Sequence, residues 1–263
     1  MITKALDTML KNDEVELNRI YNEDCLEGMK RIPDGSVDMI LCDLPYGTTQ
    51  NKWDSVIPLE PLWEQYERVI KDNGMICLTS SEPFTNALIN SKPSHFKYYD
   101  LVWDKVGTTG FLNSKRRQLR RHEQVICFYK KQTTYNPLME VRGKERNKRS
   151  YNKRKGDGDS CYGKFENVES FNNEYYPTSI IEISNASQKG KIHPTQKPVE
   201  LFEYLIKTYT NEGETVLDNC MGSGTTAIAC LNTDRQYIGI ELEETYYNNS
   251  LERIKNHTTE KGE

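Results

Sequence analysis

No CxxC pair occurs among the seven cysteines, at 25, 42, 77, 127, 161, 220 and 230. Structural zinc and dithiol redox sites need that close spacing, so zinc-finger and thioredoxin-like readings fall away and no metal site is expected. An odd, scattered set gives no disulfide framework either, and reduced thiols in the cytoplasm are expected, filling packing roles. No apolar run approaches the roughly 18 residues of a spanning helix. Lys4, Asp7 and Lys11 interrupt the N-terminal stretch, so a secreted or membrane-embedded protein is not expected. The pattern GxxxxGK[ST] is missing, which excludes a P-loop. Internal repeats are also missing, as are low-complexity tracts beyond one basic window.

What is present is a chain of 263 residues with 28% charged and 36% hydrophobic side chains, enough to bury a core without staples. The charge is unevenly placed. Residues 105–155 hold sixteen Lys and Arg against Glu123, Glu140 and Glu145, a net +13. The other residues hold 19 cations against 36 acids, a net −17. A basic surface for a polyanion, carried on an acidic body, follows from that split.

Hydrophobic patterning predicts an α/β chain. Val37–Cys42 follows the turn Pro33-Asp34-Gly35 and reads as a strand ending at Asp43. Leu59, Leu62, Trp63, Tyr66, Val69 and Ile70 recur at helical spacing, with Asn73-Gly74 as the expected stop. Strands are predicted at 75–78, 98–103, 123–129, 215–217 and 237–241. Helices are predicted at 83–90, 198–209, 225–231 and 244–255. From Lys130 to Lys191 the periodicity disappears and an irregular basic insert with interleaved tyrosines is expected. His122 and Glu123 read as a structural pair. Strands alternating with helices imply a doubly wound, mostly parallel sheet whose ligands bind beyond the carboxyl ends of its strands. That directs attention to two strand ends, Asp43 and Asp218.

Asp218-Asn-Cys-Met-Gly222-Ser223-Gly224-Thr225-Thr-Ala227 runs from a strand into a helix, and Glu241 ends the next strand nineteen residues after Gly222. Glycines admit a ligand close to the backbone, a helix N-terminus offers unpaired N–H groups, and an acid at the next strand end can accept both ribose hydroxyls. The pattern GxGxxA also fits a nicotinamide dehydrogenase. Against that reading, Asp218 would repel a pyrophosphate and attract the ammonium of an amino-acid moiety. At the other strand end, Asp43-Leu44-Pro45-Tyr46 aims a carboxylate, a carbonyl and a ring toward one point. That set suits a planar amine, with both N–H groups accepted and the base stacked.

Three segments in order, Asp43-Leu-Pro-Tyr-Gly47, His193-Pro-Thr-Gln-Lys-Pro198 and Asp218-Asn-Cys-Met-Gly-Ser-Gly-Thr-Thr226, resemble the amino-group DNA methyltransferases in their beta-class order. The resemblance covers nearly all of residues 22–254. It implies a Rossmann-like S-adenosylmethionine-dependent methyltransferase fold with permuted motif order. The catalytic domain would comprise 1–105 and 193–263, and a target-recognition insert 106–192. Asp43, Leu44, Pro45 and Tyr46 would act on a flipped base. Asp24, Cys25, Thr195, Gln196, Lys197, Asp218, Gly222, Ser223, Gly224, Thr225 and Glu241 would bind the cofactor. Lys115, Arg116, Arg117, Arg120 and Arg121 would grip double-stranded DNA. Adenine N6 is the implied target, because family members with Asp at the first tetrapeptide position mostly modify it. N4-cytosine methylation and a catalytically silent DNA-binding relative are the alternatives. The resemblance also leaves room for a homodimer and for a cognate restriction endonuclease.

The chain departs from the family pattern at Leu44, where Pro is commoner, and at Asn219-Cys220, where Pro-Phe is commoner. Neither change removes a needed group, since the Leu44 carbonyl still accepts and residue 219 is expected to matter for its backbone alone. Residues 47–54, which follow the tetrapeptide, read as a lid, with Trp53 either part of it or a core anchor.

Overall fold

In the computed structural model, which describes residues 15–47, 55–149, 169–185 and 196–261, alternate residues of β2 (Val37–Cys42) are buried on both faces. A strand apolar on both sides belongs in the middle of a covered sheet, and β2 lies there. The other strands are β1 (Arg19–Asn22), β3 (Ile70–Ser80), β4 (Lys97–Thr109), β5 (Arg120–Tyr129), β6 (Glu140–Arg149), β7 (Glu169–Tyr175), β8 (Ile180–Glu182), β9 (Thr215–Asp218) and β10 (Gln236–Glu241). The large sheet has the order β1-β10-β9-β2-β3-β5-β4-β8, and within it β5 alone runs against the rest.

Two apolar layers sandwich this sheet. Ile40 and Cys42 pack with Leu62, Trp63 and Tyr66 of α2 (Leu59–Val69), Leu88 of α3 (Phe84–Ser91) and Met29 of α1 (Cys25–Met29). Met39 and Leu41 face the other way, onto Leu201 and Leu205 of α4 (Val199–Tyr209) and Ala227 of α5 (Thr225–Asn232). Tyr247 and Ile254 of α6 (Glu244–Lys261) add to that second layer. Met39 pairs with Val216 and Ile40 with Leu217, so β2 and β9 are neighbours. The chain leaves β2 toward β3 and leaves β9 toward β10. The strand order therefore reverses between them, and ligands bind at the carboxyl side of such a switch.

Several expectations are corrected. Asn73-Gly74 does not stop the helix. The helix ends at Val69 and β3 runs through Gly74, where a Cβ would meet Ile70 Cδ1 at 2.7 Å and the Asp38 carbonyl at 2.8 Å. Glycine is there for close packing. The stretch 130–191 is not wholly irregular either. β8 joins the edge of the large sheet beside β4, and β6 and β7 pair antiparallel. Two compact units result, Met1–Asn136 with Ser179–Glu263, and Pro137–Thr178. The first holds β5 and β8, although both fall within 106–192. Alternation was invisible in β6 because seven of its ten residues are charged. The strand β1 and helix α1 were not foreseen; four and five residues are too few to display a period. Among the described residues no helix is long and apolar enough to cross a membrane.

Candidate active site

A cavity of about 780 Å³ opens at the switch between β2 and β9, and both foreseen strand ends, Asp43 and Asp218, line it. Leu44, Pro45, Tyr46, Asp24, Cys25, Gln196, Lys197, Gly222, Ser223, Thr225 and Glu241 line it as well. Thr195 and the segment 48–54 with Trp53 lie outside the described residues.

The carboxylate of Asp43 stands just past β2 and is held from three sides. Lys197 Nζ donates to Oδ1 and Oδ2, at 2.7 Å each. The Tyr46 hydroxyl donates to Oδ1 at 2.9 Å, and the Thr79 hydroxyl donates to the same atom. The Tyr46 ring stacks on Phe84, centroids 5.2 Å apart and planes 23° from parallel, which fixes its plane. Lys197 also lies 3.4 Å from Glu123 Oε2, while Glu123 Oε1 takes Lys105 Nζ at 2.6 Å. Two acids and two lysines thus form one neutral, largely buried chain. Burial alone would discharge Lys197, but Asp43 and Glu123 outweigh it and hold its pKa above the ordinary lysine value. Burial likewise pushes Glu123 up, and Lys197 and Lys105 more than offset it, leaving its carboxyl below the usual range.

On the β9 side, Asp218 shapes the turn. Its Oδ1 accepts the Cys220 N–H at 3.0 Å and its Oδ2 accepts the Thr226 hydroxyl. Burial pushes its carboxyl up to about 7, against both of those bonds. Gly222 and Gly224 have φ of +53° and +77°, in the left-handed region that costs glycine least. Glu241 at the end of β10 accepts the Gly222 N–H at 2.7 Å and the Glu243 N–H at 2.9 Å. Burial raises its pKa while those N–H groups favour its charged form. Asp24 caps α1, its Oδ1 accepting the Leu26 and Glu27 N–H groups at 2.8 and 3.3 Å.

Sequence reasoning missed several partners. Arg253 on α6 donates to the Ser223 carbonyl at 2.9 Å and to the Thr225 hydroxyl at 3.1 Å, bracing the glycine turn. Nothing in its helical spacing announces this. Lys105 and Glu123 gave no clear signal either, because each has polar or charged neighbours, Asp104 for Lys105 and His122 and Gln124 for Glu123. His122 and Glu123 do not pair, because successive strand residues point to opposite faces. Position 219 also uses its side chain, contrary to expectation, since Asn219 Oδ1 accepts the Tyr66 hydroxyl at 2.6 Å. Lys115, Arg116 and Arg117 are exposed on the β4–β5 connection, and Arg120 is exposed at the start of β5. Arg121 is paired with Asp104 at 2.7 Å.

A doubly wound sheet with acids, a glycine turn and an Asp-Leu-Pro-Tyr strand end on one cavity defines an α/β protein with a ligand site at its strand switch, and comparison with known proteins narrows the class. The chain matches the DNA methylase family model N6_N4_Mtase over residues 37–252 and belongs to that family. It is 28% identical to the Type II methyltransferase M.HpaI of Haemophilus parainfluenzae, over 90% of this chain and 74% of that protein. It is 29% identical to the Type II methyltransferase M.BglII of Bacillus subtilis, over 88% and 67%. Among solved structures it resembles the M1.HpyAVI–SAM complex, with TM-score 0.62 and 25% identity over 90% of this chain and 98% of that one. The cytosine-N4-specific PvuII DNA methyltransferase shares the fold, with TM-score 0.62 and 15% identity over 90% and 86%. The dehydrogenase alternative is thereby set aside.

Proposed function

We propose that this DNA methylase family member moves the methyl group of S-adenosylmethionine to N6 of an adenine flipped out of duplex DNA at a specific sequence. The observation that carries the reading is that one cavity joins Asp43, Leu44 and Tyr46 to Asp218 and Glu241. A cavity of this size suits a cofactor. Its acids suit a molecule carrying a sulfonium and an ammonium, and would repel a pyrophosphate. Glu241 would hold the ribose hydroxyls, Asp218 would face the amino-acid end, and Gly222 would bring the backbone close. S-adenosylmethionine, when bound, supplies a methyl group already activated for in-line displacement, which needs alignment more than a strong base.

The residues just past β2 would provide that alignment. Oδ1 of Asp43 already accepts from Lys197, Tyr46 and Thr79, whereas Oδ2 accepts from Lys197 alone among the described residues. A carboxylate oxygen offers about two acceptor positions, so Oδ2 is the atom that would take one N–H of the exocyclic amine. The Leu44 carbonyl would take the other. Two such bonds draw the nitrogen lone pair out of conjugation and toward the methyl group, and the departing proton starts on the bond to Oδ2. Tyr46, backed by Phe84, would stack on the base. Lys115, Arg116, Arg117 and Arg120, with the segment 106–192 that contains them, would hold phosphates and read base edges. The relatives are named Type II methyltransferases, and a restriction endonuclease of the same specificity is the partner this reading implies.

Digesting DNA from a host expressing the protein to nucleosides is the test. N6-methyladenine is expected; N4-methylcytosine alone would reassign the base and leave the cofactor reading intact. Glu241→Ala should weaken S-adenosylmethionine by about 1–3 kcal/mol, the worth of lost hydrogen bonds to a charged group. Calorimetry with unchanged cofactor affinity would remove Glu241 from the ribose site.

A further inference from the structure

The β4–β5 hairpin forms part of the cavity wall, through Trp103, Lys105, Thr109 and Glu123. Its ladder ends at Thr109 and Arg120, where the Thr109 hydroxyl donates to the Arg120 carbonyl at 3.2 Å. Beyond it the chain makes an ordered tip. Gly110 takes φ +82°, which admits a sharp reversal. A single 3-10 turn, Phe111–Asn113, follows, and the Asn113 carbonyl accepts the Arg116 and Arg117 N–H groups at 2.8 and 3.0 Å.

This tip displays Phe111 at 78% and Leu112 at 98% exposure, the highest values among the large apolar side chains described. Isolated exposed apolar residues are ordinary, but this adjacent pair is mounted on a hydrogen-bonded turn that follows closely on the cavity-lining Thr109. Phe111 is two residues from Thr109, so its Cα lies within about 7 Å of a residue that lines the site. Exposed Lys115, Arg116 and Arg117 follow directly. Cations call for a polyanion and the apolar pair calls for a slot without water. Duplex DNA offers both at one place when a base leaves its stack.

We infer that Phe111 and Leu112 form a wedge that enters the base stack as the target nucleotide turns into the cavity, while Lys115, Arg116 and Arg117 hold the flanking phosphates. The inference rests on the reading of duplex DNA as substrate. Apolar wedges beside cations are a physically sound way to open a step, because the inserted group replaces stacking that flipping destroys. Both side chains are in water, so removing them costs the fold little.

The test uses the full chain and a duplex carrying the site found by sequencing methylated host DNA. The target base is either paired or set opposite an abasic position, where little unstacking is needed. Phe111→Ala with Leu112→Ala should lower turnover on the paired duplex roughly 10- to 100-fold, the equilibrium worth of stacking on one base. Turnover should largely recover on the abasic duplex, with an unchanged melting temperature. The salt slope of DNA binding should stay that of wild type, whereas Arg116→Ala with Arg117→Ala should lower it by about 2 if both touch phosphate. Equal loss on both duplexes, or no loss, overturns the wedge. So does conversion of a dimer to a monomer, or lost binding to anionic phospholipid vesicles, either of which would make the pair a protein or membrane contact. Wild-type protein that methylates no DNA would instead overturn the substrate reading.

Discussion

Asp43→Asn is expected to cut methyl transfer on the order of 10²- to 10³-fold, the usual cost of one preorganised electrostatic contact at a reacting centre. Cofactor affinity should change little. The amide keeps the shape of the side chain but presents an N–H₂ where the reaction needs an acceptor. If the amide oxygen takes the Oδ1 position beside Tyr46 and Thr79, the N–H₂ faces the incoming amine, donor against donor. If it flips, Tyr46 and Thr79 lose their acceptor instead. Either orientation also leaves Lys197 without a carboxylate on that side, so part of the loss will be structural. Tritium transfer to host-derived unmodified DNA, with calorimetry of cofactor binding, separates these effects. Wild-type turnover would remove Asp43 from the mechanism. Equal loss of cofactor binding and turnover would make it a scaffold residue.

Lys197→Met should be the most costly single change to stability, at about 3–5 kcal/mol near neutral pH, the range for breaking a buried ion pair from one side. The lysine is 7% exposed and stands between Asp43 and Glu123. Without it two partly buried carboxylates keep only Lys105 as a cationic partner, and Lys105 reaches Glu123 alone. The pH dependence carries the sign. A lysine whose pKa is raised by folding stabilises at all pH values below its ordinary pKa and loses that contribution only in strong alkali. A glutamate whose pKa is lowered stabilises above the ordinary carboxylate range and loses that contribution as pH falls through its folded value. The wild-type network therefore contributes across neutral pH. In the Met variant, proton uptake by an uncovered carboxylate should narrow the stability deficit as pH drops below neutral. Urea midpoints measured from mildly acidic to alkaline pH check this. A deficit that is small at neutral pH, or constant across the range, would mean that Lys197 contributes packing rather than charge.

Much of the architecture was legible because its cause is local. Met39–Cys42 is apolar on both faces, which only a covered strand tolerates, and the strand is followed by an acid. Gly222 and Gly224 mark positions where φ must be positive, and the helix that follows them starts where a glycine turn allows it. β1, α1 and the β6–β7 pair were not legible. The first two are too short for a period, and β6 is too charged to show which face is which.

By itself the sequence determined the α/β class, the two strand ends that line the cavity, and the separation of a basic segment from an acidic body. These follow from period, turn chemistry and charge, all of which act over a few neighbouring residues. Only the tertiary structure decided that Asp43 meets Lys197 across 154 positions of chain and that Lys197 in turn meets Glu123. The same holds for Arg253, braced against the glycine turn, and for Phe111 and Leu112, left exposed just beyond the cavity-lining Thr109. Such pairings depend on which strands lie side by side and which face each side chain takes. The order β9-β2-β3-β5-β4 sets both, and no local pattern encodes it.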